Sequence, residues 1–186
     1  MSEEKSALMT GGCQCGAVRY RFQAVASGAH ICHCRMCQKA GGGPFMASVL
    51  TAGFEVTRGR LSTFRSSDIA ERGFCAACGT PLTYRSLVSD VLIVTLGSLD
   101  DPNRTPPLSQ YGMESRVDWL DEALKSPANS LADWFKRKGI TSLGNRQHPD
   151  QEIADRNDGN GQTGWDHCLS GRDNDLGQTE PVLSDP

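Results

Sequence analysis

The chain of 186 residues is long enough for one ordinary domain with an appendage, or for two small domains. Its formal net charge of −3 gives no overall basic field of the kind that attracts nucleic acid. No run of about eighteen apolar residues predicts a membrane span, and the charged start of the chain lacks the apolar core of a secretory signal. We therefore expect a cytoplasmic protein with no membrane or nucleic-acid partner.

Short β-strand patterns fill the first half of the chain. Val18, Tyr20 and Phe22 alternate with polar residues, which is the period of a half-buried strand. Turns rich in glycine, proline and aspartate separate further strand-like runs, which span residues 45–50, 54–57, 61–65, 82–84 and 91–96. Strands this short and this frequent, without a βαβ alternation, predict a mainly β domain of antiparallel sheets.

One short helix is predicted after these strands, over residues 126–139. Ser126 can cap its start, and Gly139 can end it. Its apolar face would pack on the β-domain or, alternatively, bind a partner; this face consists of Leu131, Trp134 and Phe135.

The chain changes character after this helix. Residues 141–186 hold nine acids and three arginines, a net charge of −6, which leaves +3 for the first 140 residues. They hold only six Leu, Ile and Val and no Phe, too little apolar surface to offset the entropy of ordering. We expect a domain over residues 8–125, a helical extension over 126–139 and a disordered acidic tail over 140–186.

Seven of the eight cysteines fall into three groups. Because cytosolic thiols stay reduced, spacings of this kind indicate metal binding rather than disulfides. A structural zinc prefers four tetrahedral ligands, so the first and last pairs together would form one closed site. That site would be held by Cys13, Cys15, Cys75 and Cys78.

The middle group offers three thiols, Cys32, Cys34 and Cys37. Three protein ligands with an exchangeable fourth position are typical of a catalytic zinc, and thiolate ligands suit a sulfur substrate. Two alternatives stay open: His30 could close the site, or the three thiols could be a redox group without metal. His33 is a poor ligand candidate because the middle residue of an extended Cys-His-Cys stretch points away from its neighbours.

A glycine run and two cations follow the middle group. The backbone N–H groups of Gly41–Gly43 could bind an anion, supported by Arg35 and Lys39. A small thiol that carries a carboxylate would suit such surroundings.

The ordered motifs resemble the glutathione-dependent formaldehyde-activating enzyme family, whose domain is shared by centromere protein V. The similarity covers residues 10–124. The matching motifs are Gly-Gly-Cys13-x-Cys15-Gly, Cys32-His-Cys34-x-x-Cys37-x-Lys, Phe74-Cys75-x-x-Cys78-Gly79, Gly97-Ser-Leu-Asp100 and a late Trp119. The resemblance implies a β-tent fold of two antiparallel sheets, a structural zinc on the outer cysteine pairs and a second zinc on the middle group. Many members carry a histidine where this chain has Gln110, and a bulkier residue where it has Gly41.

Together these features predict a zinc-dependent carbon–sulfur lyase or synthase that uses a glutathione-like thiol and formaldehyde or a related electrophile. The middle cysteines would hold the catalytic zinc, at which the substrate thiol would lose its proton and attack the electrophile. Lys39, Gly42 and Arg116 are the candidate contacts for the substrate carboxylates. Two alternatives are an enzyme of the same fold that acts on another thiol adduct, and a non-enzymatic binding module stabilised by zinc.

Overall fold

The structure, a computed structural model, describes residues 8–142 and 147–148. Of these, residues 8–118 and 147–148 form one compact unit, and residues 119–142 belong to a second. No helix in the described ranges is long and apolar enough to cross a membrane. The domain bounds of 8–125 and 126–139 stay predictions, and the predicted tail over 140–186 lies outside the described residues except at 140–142 and 147–148.

Within the described residues, eight strands form one hydrogen-bonded sheet, so the predicted mainly β class is confirmed. The strands are β1 Leu8–Gly12, β2 Arg19–Cys32, β3 Met46–Arg58, β4 Ser62–Ser67, β5 Ala70–Phe74, β6 Pro81–Ser86, β7 Leu92–Thr95 and β8 Ser109–Tyr111. Seven of them lie in the order β1-β2-β3-β7-β6-β5-β4 with antiparallel neighbours, and β8 pairs in parallel with the end of β2. β3 and β7 are hydrogen-bonded to each other, so the strands make one continuous sheet rather than two separate ones.

The two longest strands, β2 and β3, pair with each other, and β3 joins two runs that look separate in the sequence. The predicted runs 45–50 and 54–57 are parts of the single strand β3, in which Gly53 has a φ of +60°. Three register shifts interrupt the β2–β3 pairing. Because each bulge bends a strand and increases its twist, these shifts let two long strands curve together. The end of β2, where Cys32 lies, pairs with β8.

The core is formed mainly by buried apolar side chains from the strands of this sheet. Its large buried side chains include Phe22, Val49, Leu82 and Val94, each worth about 1.5–3 kcal/mol when removed from water. The buried Tyr20 hydroxyl donates to the Ser98 carbonyl oxygen over 2.9 Å.

The Gly97–Asp100 motif has a structural role. The Arg19 guanidinium binds both carboxylate oxygens of Asp100, at 2.9 and 2.6 Å. These bonds tie the start of β2 to the segment that follows β7, so the motif holds the sheet together.

Three short α-helices complete the described chain: α1 Arg35–Gly41, α2 Leu120–Ala123 and α3 Leu131–Arg137. The predicted cap of the last helix is wrong. The Ser130 hydroxyl caps α3 by accepting from the Asp133 N–H, whereas Ser126 lies in the turn that ends α2, where its N–H donates to the Ala123 carbonyl. The predicted end is confirmed, because Gly139 follows α3 with a φ of +68°.

Candidate metal centres

The four outer cysteines come together as the sequence predicts. Cys13 and Cys15 lie in the turn between β1 and β2, and Cys75 and Cys78 lie in the turn between β5 and β6. All four sulfurs lie within 4.8 Å of one another; Cys13 and Cys15 are 3.6 Å apart, and Cys15 and Cys75 are 3.9 Å apart. A tetrahedral zinc with bonds of about 2.3 Å places its sulfur ligands about 3.8 Å apart. This four-cysteine cluster therefore fits a zinc ion.

The two turns of the four-cysteine cluster have similar backbone hydrogen bonds. Gly16 has a φ of +75° and donates to the Cys13 carbonyl over 3.0 Å, and Gly79 has a φ of +77° and donates to the Cys75 carbonyl over 2.8 Å. A positive φ is easily adopted only by glycine, which explains both residues. The Val18 N–H also donates to the Cys13 sulfur over 3.2 Å.

Without a metal, the pKa values of Cys78 and Cys15 in this cluster are shifted in opposite directions. Burial opposes ionisation of Cys78, but hydrogen bonds from the Thr80 hydroxyl and N–H lower its pKa to about 6. For Cys15 the Ala17 N–H favours the thiolate, but contacts with neighbouring thiols, that of Cys78 first, and burial raise the pKa to about 12. Several thiols must therefore lose protons when a metal binds, which makes metal affinity depend on pH.

The three middle cysteines form a second cluster where β2 runs into α1. Cys32 is the last residue of β2, Cys34 is the N-cap of α1, and Cys37 lies within α1. Their sulfurs lie within 4.8 Å of one another, and in the described part of the chain no histidine, aspartate, glutamate or further cysteine completes this group. The three-cysteine cluster thus offers three ligands of one chemical kind.

Neither nearby histidine joins the three-cysteine cluster. The His33 side chain is 1% exposed, its Nε2 lies 2.9 Å from the Gln110 Oε1, and its ring packs edge-on against Phe45. His30 contacts the Gly28 carbonyl through Nδ1 at 3.2 Å. Closure of the site by His30, one of the alternatives from the sequence, is not the arrangement in the structure.

Arg72 of β5 is a neighbour of the cluster that sequence reasoning missed. It is 9% exposed, its Nη2 donates to the Cys37 sulfur over 3.4 Å, and its guanidinium lies 5.4 Å from the centre of the Tyr84 ring. Among the described residues it forms no ion pair with a carboxylate. A buried cation needs a polar partner, and the Cys37 sulfur is an acceptor within reach of this guanidinium.

The segment after β8 braces the cluster from another side. The Gln38 amide nitrogen donates to the carbonyls of His33, at 2.7 Å, and Ser115, at 2.9 Å. A Cβ on Gly112, whose φ is +69°, would lie 2.7 Å from the Cys34 nitrogen. Only glycine therefore fits at this close approach.

The pKa values of Cys32 and Cys34 are shifted in opposite directions for local reasons. Burial, the largest effect, and the neighbouring thiols raise the pKa of Cys32 to about 12, against the effect of the Cys34 N–H. Burial also opposes ionisation of Cys34, but the Cys37 N–H and the other thiols of the cluster lower its pKa below the ordinary value.

The three predicted substrate contacts lie in different local settings. Lys39 is exposed in the last turn of α1, and Arg116 is half-buried after the 3-10 turn Met113–Ser115. Gly42 ends α1 with a φ of +69°, and its N–H already donates to the Gln38 carbonyl over 2.9 Å. The roles of these three residues stay predictions.

The chain is similar to known proteins. The family model described as glutathione-dependent formaldehyde-activating enzyme matches residues 8–114. A Halomonas elongata protein, provisionally named a glutathione-dependent formaldehyde-activating enzyme, is 27% identical over 153 residues, which cover 72% of this chain and 98% of that protein. An uncharacterized lyase of Schizosaccharomyces pombe is 33% identical over 75 residues, or 40% of this chain and 55% of that protein.

Among solved structures, a Rhodobacter sphaeroides protein is similar over 55% of this chain and 99% of its own, with 23% identity and a TM-score of 0.45. The family model carries the assignment, because its match extends over more than half of the chain and includes both cysteine clusters. The chain therefore belongs to the glutathione-dependent formaldehyde-activating enzyme family.

Proposed function

We propose that the protein is a zinc-dependent carbon–sulfur lyase or synthase that joins a glutathione-like thiol to formaldehyde or a related small electrophile, and cleaves the adduct. The observation that carries this proposal is the three-cysteine cluster beside a complete four-cysteine cluster. Four thiols suit a structural zinc, whereas three leave one position for a substrate. The family name supports a thiol partner.

Zinc would be held by Cys32, Cys34 and Cys37 at the reacting centre. Zinc bound there would lower the pKa of a bound thiol or water, and its positive charge would polarise a carbonyl. The sulfurs fit this role because they converge within 4.8 Å and because a buried guanidinium faces one of them.

The chain's own side chains would fix and balance these ligands. The contact of Arg72 with Cys37 offsets the negative charge of three thiolates. The two bonds of the Gln38 amide hold α1 against the ends of β2 and β8, so the spacing of the sulfurs does not depend on the metal alone. Such support from surrounding residues keeps ligands in position for chemistry.

The thiol substrate would be held by its carboxylates. Lys39, Gly42 and Arg116 are the proposed contacts; Lys39 follows Gln38 directly, and Arg116 follows Ser115, whose carbonyl accepts from the Gln38 amide. Holding the thiol and the electrophile together removes association entropy, which in favourable intramolecular reactions is worth about 7–11 kcal/mol.

The test is the exchange between formaldehyde hydrate and S-hydroxymethylglutathione, followed by NMR magnetisation transfer with zinc-loaded protein. We expect exchange faster than the unaided reaction, with the acceleration lost in zinc-stripped protein. No acceleration by a sample with both zinc ions bound would exclude formaldehyde as the substrate. Two hypotheses would then remain: an enzyme that acts on another thiol adduct, tested with a substrate panel, and a non-enzymatic binding module.

A further inference from the structure

A cleft of about 370 Å³ lies between α1 and the strands β4 and β5. Arg35, Met36 and Lys39 line it from α1, Phe64 from β4 and Arg72 from β5. Clefts of about 300 Å³ or more can take a small organic ligand. We call it the α1–β4 cleft.

All charged residues that line the cleft are positive. Three of its lining residues are cations, and none is acidic. Arg35 and Lys39 are four residues apart on α1, a spacing that places two side chains on the same helical face. In the described part of the chain none of the three cations forms an ion pair with a carboxylate; Arg35 donates to the neutral Gln38 side chain. The cleft therefore favours an anion.

The remaining wall is apolar. Phe64 is 63% exposed and Met36 is 49% exposed, although both are large apolar side chains. Covering them with an organic group would remove apolar surface from water, at about 25 cal/mol per Å². A ligand that carries both a carboxylate and an apolar body would use both kinds of wall, whereas formaldehyde would use neither.

Arg72 connects this cleft with the three-cysteine cluster. Its guanidinium donates to the Cys37 sulfur, and the residue is also part of the cleft lining. We propose that the α1–β4 cleft binds a carboxylate-bearing apolar group of the thiol adduct, an inference that rests on the proposed function for the position of the sulfur. The preferred adduct would then carry an organic acid rather than a hydroxymethyl group alone.

The first test uses no thiol, so that its result does not depend on the proposed thiol chemistry. Amide NMR of the zinc-loaded full chain is recorded with 4-methylbenzoate and with its neutral analogue 4-methylbenzamide. We expect the benzoate to shift the amides of residues 35–40 and 64–72 and to bind about fivefold more tightly than the benzamide. The Arg35→Gln/Lys39→Gln double variant should lose this preference.

The matched control is Arg65→Gln. Arg65 is an exposed cation on β4 next to Phe64, it does not line the cleft, and its Nη2 donates to the Asp68 carbonyl. It should keep the wild-type preference. Equal affinities for benzoate and benzamide, or a preference that survives in the double variant, would overturn the proposal.

The second test separates the cleft from the metal chemistry. Cobalt-substituted protein is titrated with 4-mercaptobenzoate and with 4-methylbenzenethiol, at a pH at which both thiols are ionised. We expect both thiols to change the cobalt absorption spectrum, with the carboxylated thiol effective at about fivefold lower concentration. If neither thiol changes the spectrum, the proposed function and the link to a thiol fail, and the NMR result alone decides whether the cleft binds carboxylates.

Discussion

The four-cysteine cluster and the three-cysteine cluster use the same ligand atom in different surroundings. The first is built from two similar glycine turns that lie far apart in the sequence, and backbone amides shape both turns. The second is built from one short stretch at the junction of β2 and α1. Its surroundings are side chains, with Arg72 on a sulfur and Gln38 bridging two backbone segments.

This difference teaches how to separate a stabilising metal from a reacting one. A site that joins distant turns through backbone geometry adds to folding, because its ligands converge only in the folded chain. A site whose ligands are neighbours in sequence adds less to folding. The neighbouring side chains of such a site instead fix the charge and orientation of its ligands. Variants in and around the two clusters would test this contrast.

The largest effect is expected from Cys75→Ser. Loss of one ligand from the four-cysteine cluster removes a metal whose binding in small zinc domains is worth about 10–16 kcal/mol, comparable to the whole stability of a domain. We expect unfolded or insoluble protein, detected by circular dichroism and zinc content. Cys168→Ser, a change in the cysteine that the sequence places in neither cluster, should have no such effect. A folded Cys75→Ser protein with full activity would refute the structural assignment.

Cys34→Ser should instead remove activity and leave the fold. We expect loss of one zinc ion per chain and a fall in turnover of at least about a hundredfold, because Cys34 is a proposed ligand at the reacting centre. Thermal unfolding should change by no more than about 1–2 kcal/mol. If Cys34→Ser unfolds the protein while Cys75→Ser does not, the roles of the two clusters are reversed.

Arg72→Met tests the side-chain support of the three-cysteine cluster. We expect its zinc affinity to fall about tenfold, since the variant loses the donor to the Cys37 sulfur while it keeps an apolar side chain of similar length. Competition with a coloured chelator measures this affinity, and Arg65→Met is the control for a lost surface cation. Unchanged affinity would show that Arg72 only fills space beside Tyr84.

The smallest effect is expected from Gln110→Ala. This change takes away the partner of the His33 Nε2, and the His33 Nδ1 already has no hydrogen-bond partner in the structure. Because Gln110 is exposed, water can replace part of the contact, and we expect a loss of about 1 kcal/mol in thermal unfolding. Ser109→Ala, on the same short strand, is the control. Equal stability of the two variants would show that the His33 contact contributes nothing.

The cysteine clusters can be predicted from the sequence because the spacing within each group is short and because the ligand preference of zinc is known. The short spacing of each group aims sulfurs at one point, and the preference of zinc for four ligands then pairs the outer groups. Most strands in the first half were also predictable from alternation. The helix cap was not: Ser126 and Ser130 both suit the position, and the Asp133 that follows Ser130 by three residues was the signal that distinguished them.

The supporting residues could not be predicted, because their positions depend on the tertiary structure. Arg72 lies in a five-residue strand that also contains Glu71 and Gly73, a pattern without apolar alternation. The strand β8 has three exposed residues and exists through its pairing with β2. Gln38 is an ordinary helix residue until the chain near Ser115 comes within hydrogen-bond distance. Contacts of this kind become visible only in three dimensions.

The separation of the cysteines along the chain also bears on the order of events during synthesis. The three-cysteine cluster is complete once residue 37 has left the ribosome, whereas the four-cysteine cluster joins Cys15 to a partner 60 residues later. Closing so long a loop costs more chain entropy than closing a short one. The nascent chain is therefore expected to take up its zinc ions in sequence, at the three-cysteine cluster first. The arrival of Cys75 and Cys78 would then set the moment at which the emerging chain becomes a folded domain.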